Sequence, residues 1–210
     1  MPDMNQEQCL QLAKAEIETC RKVAEGHPKN YYAWTHRRYL WSLIDPTTEL
    51  LREEWQDMLT RWLPQHISDH SAAHYGAQVL ELWMNKSKEN TLVIAEQILP
   101  QVISLVERQQ EFHETLWILR RLVVRILLLH GKEDDAIRKL VEKDLEMVYQ
   151  EASSNVHAWT YLVWVVRLEQ EGLRLAHVVD LPKAISVLQQ HPKATHEMWN
   201  IYGSTILEHC

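Results

Sequence analysis

Glycine and proline are scarce in this 210-residue sequence: 5 Gly and 7 Pro, beside aliphatic residues dominated by Leu. Many strands joined by tight turns would need more of both, so the composition favours long helices with short connections. No run of about 18 apolar residues occurs, which excludes a conventional membrane-spanning helix. The opening Met-Pro-Asp-Met-Asn-Gln-Glu is acidic and polar, unlike a secretory signal. Cysteine is limited to Cys9, Cys20 and Cys210, with no metal-ligand spacing. An odd count without a signal reads as reduced thiols in a cytoplasmic protein. Cys210 is the last residue, whereas a prenylation box places its Cys fourth from the end. Positive charge is also in deficit, with a net −7, which excludes a general nucleic-acid binder. No nucleophile motif, phosphate-cradling Gly-rich loop or zinc spacing appears, so a self-sufficient enzyme is not expected. What remains is 46% apolar and 24% charged, enough to bury a substantial core.

The sequence repeats itself. Segments 30–40, 113–123, 155–163 and 195–203 carry Trp34, Trp117, Trp159 and Trp199 in similar surroundings, and segment 69–78 places His74 where the others have Trp. These five anchors are 40, 43, 42 and 40 residues apart, the spacing of a helical-repeat array. Each unit begins with an apolar stripe at helical period, such as Leu10, Ala13, Ile17, Cys20, Val23 and Ala24. A polar break follows (Gly26 to Pro28, Pro64 to His66, Ala152 to Ser154), then a capping residue and the Trp helix. The expectation is all-α: about five stacked helical hairpins forming one continuous right-handed α-α superhelix over residues 1–210, with the loop-like stretches at 84–91 and 131–135. Trp34, His74, Trp117, Trp159 and Trp199 are read as packing anchors between hairpins rather than as ligand contacts.

Two clusters invite a chemical reading. His36, Arg37 and Arg38 follow Trp34, and Arg120 and Arg121 follow Trp117; such arginines bridge hairpins or meet an acidic partner surface more readily than they catalyse. His66, His70 and His74 recur at four-residue spacing, which on one helix would make a metal-like face. Pro64 and the Ser68–Ser71 stretch point to a break within it, leaving His70 and His74 to cap and pack the second Trp-type helix, and no metal site is expected.

The string Lys29-Asn30-Tyr31-Tyr32-Ala33-Trp34-Thr35-His36-Arg37-Arg38 resembles the repeat of protein prenyltransferase α subunits, with its Asn-x-x-x-Trp-x-x-Arg-Arg core. Segments 67–75 and 113–117 are similar to the atypical α subunits of type-III geranylgeranyltransferases. The resemblance covers residues 6–130 well, and 150–210 only as degenerate repeats; further repeats before residue 1 are an open expectation. It implies the α subunit of a heterodimeric protein geranylgeranyltransferase: a crescent around a β subunit, the Rab geranylgeranyltransferase type, which holds the zinc, with a SNARE protein as acceptor. It also implies that Lys29 faces the isoprenoid diphosphate and that Tyr31 donates a hydrogen bond to it. The residues alone equally allow an exposed Lys29 beside a capping Asn30 and a packed Tyr31. Asp69 and Ser154 stand at the Lys position of other repeats in this alignment. Loss of Arg from the fourth and fifth repeats, where Leu162-Val163 and Tyr202-Gly203 stand, leaves a non-enzymatic scaffold for protein–protein interaction as the alternative.

Overall fold

Asn30 decides where the first Trp helix begins. Its Oδ1 accepts from the backbone N–H of Tyr32 at 3.1 Å and of Ala33 at 3.2 Å, satisfying donors that a helix start leaves without partners. The same device recurs at Thr47, Asp69, Asp134 and Asn155, whose side chains accept from backbone N–H groups two or three residues ahead. In the computed structural model, residues 6–27, 29–87, 91–109, 113–131, 134–152 and 154–168 are described, with 182–183 and 186–187 beyond them. Among the described residues every regular element is helical: α1 (Gln6–Gly26), α2 (Tyr31–Leu43), α3 (Thr48–Asp57), a π-helical turn (Met58–Trp62), α4 (Leu63–Gln65), α5 (His70–Lys86), α6 (Thr91–Arg108), α7 (Glu114–His130), α8 (Asp135–Glu151) and α9 (Val156–Leu168).

The all-α reading therefore holds, with α1/α2, α3–α4/α5, α6/α7 and α8/α9 following the expected hairpin order. The fifth unit, with Trp199, lies outside the described residues. No described helix is long and apolar enough to cross a membrane. The helices fall into two compact units, dividing within α7 between Ile126 and Leu127, where the sequence reading expected one continuous body.

In the first unit α1 lies on α2, α2 and α3 lie on α5, and α6 lies on the π turn. The α1 stripe is buried at Ala13, Cys20 and Ala24. These are small side chains, so α2 can approach closely. Val23, counted in the same stripe, is exposed. Gly76 has a related role on α5, where an added Cβ would lie 3.7 Å from the Trp55 ring and 3.9 Å from Met58. The π turn has a cause in Pro64, which has no N–H to give the carbonyl of residue 60. One residue earlier, the Leu63 N–H bonds the Met58 carbonyl across a five-residue spacing, and the helix widens rather than ends. The second unit packs α8 on α9. Gly131 sits tightly there: a Cβ would fall 2.2 Å from Ile137 Cδ1.

Candidate functional site

Trp34, Arg37 and Trp41 share one face of α2 and are all buried. Behind them lies a polar lattice shared with α3 and α5. The Arg37 guanidinium bonds both carboxylate oxygens of Glu54, at 2.7 and 2.8 Å, and donates to the Tyr75 hydroxyl at 3.2 Å. Tyr75 donates to Glu54 at 2.6 Å and accepts from the Trp41 indole at 2.6 Å. Thus a buried cation, carboxylate and phenol satisfy one another, the condition under which such groups can leave water. Burial and the neighbouring Glu54 charge push the Tyr75 phenol well above its ordinary value. For Arg37, burial opposes the charged form, but Tyr75 and Glu54 outweigh it and the guanidinium is held up, charged throughout.

A second lattice centres on Asp69. One oxygen caps α5 through Ala72 N–H at 3.0 Å. The other accepts from the Trp34 indole at 3.0 Å and the Trp62 indole at 3.4 Å. Trp34 meets Trp62 edge-on at 5.0 Å and Tyr75 at 5.2 Å. Together these contacts fix the floor of an open cleft of about 190 Å³ between α2 and α5. Trp34 and Tyr75 form the floor; Tyr31, Thr35, Arg38, His70, Ser71, His74 and Gln78 line the rest. Its chemistry is one-sided: one guanidinium, two imidazoles, three hydroxyls counting Tyr31, Thr35 and Ser71, an amide, and no carboxylate. These groups carry hydrogen-bond donors and one permanent cation, and no lining carboxylate would repel an anion.

Of the sequence candidates, Tyr31, Arg38 and His74 thus meet at the cleft. Tyr31 is 62% exposed rather than packed. Lys29 is exposed and lies outside the lining, with its backbone in the left-handed region at φ 64°. His36 is exposed and lies 3.7 Å from Glu16 on α1. Arg37 bridges hairpins, as described. Arg120 is buried with its guanidinium 4.9 Å from the Trp117 ring centroid, and Arg121 is half-buried. Trp34, Trp117 and Trp159 are buried.

His74 is a correction. It is exposed, and Asp69 caps α5, so Ala73 is the residue four beyond the cap, as Trp34 is beyond Asn30 and Trp159 beyond Asn155. The second repeat slips by one residue against the earlier alignment: Asp69 matches Asn30, Ser68 matches Lys29, and His70 is not the cap. His66 falls in the gap after α4, stacked on Trp62 with centroids 4.0 Å apart. Glu54 and Tyr75 were absent from the sequence reading. The only signal for them was a carboxylate and a phenol at helical positions facing Arg37, which sequence spacing alone does not select from several alternatives.

Residues 13–44 match the model of the protein prenyltransferase alpha subunit repeat. Over 106 residues the chain is 29% identical to protein prenyltransferase alpha subunit repeat-containing protein 1 of Homo sapiens, covering 50% of this chain and 26% of that protein. Over 79 residues it is 35% identical to the Danio rerio protein of the same name, covering 35% of this chain and 18% of that one. Over 76 residues it is 26% identical to protein 1-A of Xenopus laevis. The matched stretches span about a quarter or less of those relatives' lengths. No solved structure gives a significant match. Residues 13–44 carry a protein prenyltransferase α-subunit repeat, and the resemblance drawn from Lys29 to Arg38 is borne out.

Proposed function

We propose that the chain acts as the α-subunit-type component of a heterodimeric protein geranylgeranyltransferase, and that the α2–α5 cleft receives the diphosphate of the isoprenoid donor. The carboxylate-free lining around Arg38 carries this reading. When the carbon–oxygen bond to the isoprenoid breaks, negative charge gathers on the departing pyrophosphate. Donors already fixed in place stabilise that charge without reorganising. Arg38 supplies a permanent cation, and the Tyr31 and Ser71 hydroxyls and the Gln78 amide supply N–H or O–H donors. The rigidity comes from beneath, where Trp34 and Tyr75 are held by Asp69 and by Arg37 with Glu54. Lys29, at the rim of α2, acts at longer range, attracting the anion rather than gripping it. The zinc of the reaction belongs in this reading to the β subunit. This chain's residues bind and orient.

The test is reconstitution. The full chain is mixed with a β subunit of the Rab geranylgeranyltransferase type, geranylgeranyl diphosphate and a SNARE acceptor, and transfer is measured. Transfer is expected only in the mixture. Arg38→Ala, at an exposed position, should lower it by about 10- to 100-fold, the loss of one charge-assisted contact of about 1.5–3 kcal/mol, without changing the fold. A mixture no more active than the β subunit alone sinks the proposal and favours a non-enzymatic scaffold.

A further inference from the structure

His70 and His74 do not perform the structural tasks that the sequence assigned to them. Asp69 rather than His70 caps α5, and Ala73 rather than His74 is buried. Both imidazoles are exposed, and both line the α2–α5 cleft. Among the described residues neither has a hydrogen-bond or ion-pair partner. The cleft lining also holds no carboxylate that could pair with them.

Their spacing gives them a joint capacity. The break expected within the triplet of His66, His70 and His74 falls between the first two. His66 is stacked on Trp62 in the gap after α4, whereas α5 begins at His70 and carries His74 one turn on. Residues four apart on a helix have Cβ atoms about 5–6 Å apart on one face, and two histidines so placed can turn a ring nitrogen each toward one ion, as in helical zinc motifs. Among the described residues no group of three His, Cys, Asp or Glu is arranged to hold a metal. An ion on this pair therefore keeps positions open to the cleft, unlike a closed structural zinc site. Neutral nitrogen donors select nickel, copper or zinc over magnesium and calcium, which take oxygen ligands.

We infer that His70 and His74 together bind one divalent transition-metal ion in the α2–α5 cleft, through one ring nitrogen each, with the remaining coordination positions open to water or an anion. Arg38, in the same lining, opposes a bare dication and so favours an ion with an anion beside it. Where the cleft holds a diphosphate, one of its oxygens takes such a position. That last step rests on the proposed function; the metal site does not.

The test is calorimetric titration of the full chain with Ni²⁺ and, separately, Zn²⁺, in a buffer free of phosphate and carboxylates. It is run at about pH 7.5, since a ligating imidazole must be neutral. A site that fills below about 1 mM metal is expected, and His70→Ala and His74→Ala should each weaken it by about tenfold or more, because the second ring acts as an intramolecular ligand. Alanine suits an exposed helical position, so far-ultraviolet circular dichroism should be unchanged in both variants. His66→Ala should leave the site intact, and Mg²⁺ should not displace the ion. Electron paramagnetic resonance of the Cu²⁺ complex should show two nitrogen ligands in the parent chain and one fewer in each single variant. Arg38→Ala, the variant expected to slow transfer, should bind the metal at least as tightly, so the two readings fail separately. The inference is overturned by the absence of such a site, or by a site that either single histidine variant leaves intact. Loss of binding in Arg38→Ala also overturns it, since the metal would then be carried on an anion held by the guanidinium.

Discussion

Replacing Arg37 by Met isolates the electrostatic part of the first unit's core. The methionine keeps much of the buried aliphatic stem, so volume changes little while the cation vanishes. Arg37 is 3% exposed and Glu54 8%, and the change leaves the Glu54 carboxylate with the Tyr75 hydroxyl as its remaining partner in the lattice. Breaking one side of a buried pair in this way costs about 3–5 kcal/mol, most of it the desolvated charge left behind. For a chain of this size that is a fall of roughly 8–15 °C in unfolding midpoint. The double variant Arg37→Met with Glu54→Leu removes the stranded charge as well. Tyr75 then keeps the Trp41 indole as donor but loses its acceptor, a penalty of about 1–2 kcal/mol. The double variant should therefore be more stable than Arg37→Met alone. Urea unfolding followed by circular dichroism at 222 nm and by tryptophan fluorescence measures four proteins: the parent chain, Arg37→Met, Glu54→Leu alone and the double variant. The reasoning is refuted if Arg37→Met costs less than about 1 kcal/mol, or if the two substitutions add within about 0.5 kcal/mol, as independent sites do.

Three further outcomes are expected. Tyr75 stays protonated in the folded chain above the pH at which it ionises when unfolded, so the unfolded state holds fewer protons there and stability falls as pH rises past about 10, by up to about 1.4 kcal/mol per unit; Tyr75→Phe should flatten that slope. The comparison belongs in a Cys20→Ala background, because burial raises the Cys20 thiol and gives a loss of the same sign from about pH 8.5, and equal slopes with and without the phenol would count against the lattice. Gly131→Ala should cost about 1–3 kcal/mol, because its methyl group meets Ile137 Cδ1, Cγ2 and Cβ at 2.2, 3.0 and 3.1 Å, and Ile137→Ala in that background should recover part of the loss in a thermal melt. Lys29→Gly should stabilise the chain by about 0.5–1 kcal/mol, since φ 64° costs a non-glycine residue about 1–2 kcal/mol, offset by glycine's freer unfolded state; in the reconstitution that tests the proposed function, slower transfer by this variant would assign Lys29 to the anion and not to the fold.

The sequence made the helices and their starts legible because a cap is a local device. Asn30 and Asn155 bond amides two and three residues away, and nothing distant has to be known. The second repeat shows where that locality ends. Its cap, Asp69, is as local as the others, but the position that should hold Trp holds Ala73, and an alignment on the nearest large side chain settles on His74, one residue late. The aromatic bulk beside Asp69 comes instead from Trp34 and Trp62, on other helices. The π turn was equally hidden: Pro64 signals an interruption, but whether a helix ends or widens depends on what its faces pack against.

The fates of Arg37 and Arg38 show why the site itself could not be read from spacing. Successive helical residues point about 100° apart, so residues three and four beyond Trp34 lie on opposite flanks of it, about 60° to one side and 40° to the other. Both flanks adjoin Trp34, and both are plausible homes for a guanidinium. What separates them is the partner surface. On Arg37's flank, α3 and α5 present Glu54 and Tyr75, 17 and 38 residues away in sequence; on Arg38's, α5 presents His70, His74 and open space. The interior arginine therefore fixes Trp34 and Tyr75, whose outward faces are the floor beneath the exposed one. Loss of Arg37 should consequently loosen the cleft as well as the core, whereas loss of Arg38 should empty the cleft of its permanent charge and leave the core intact.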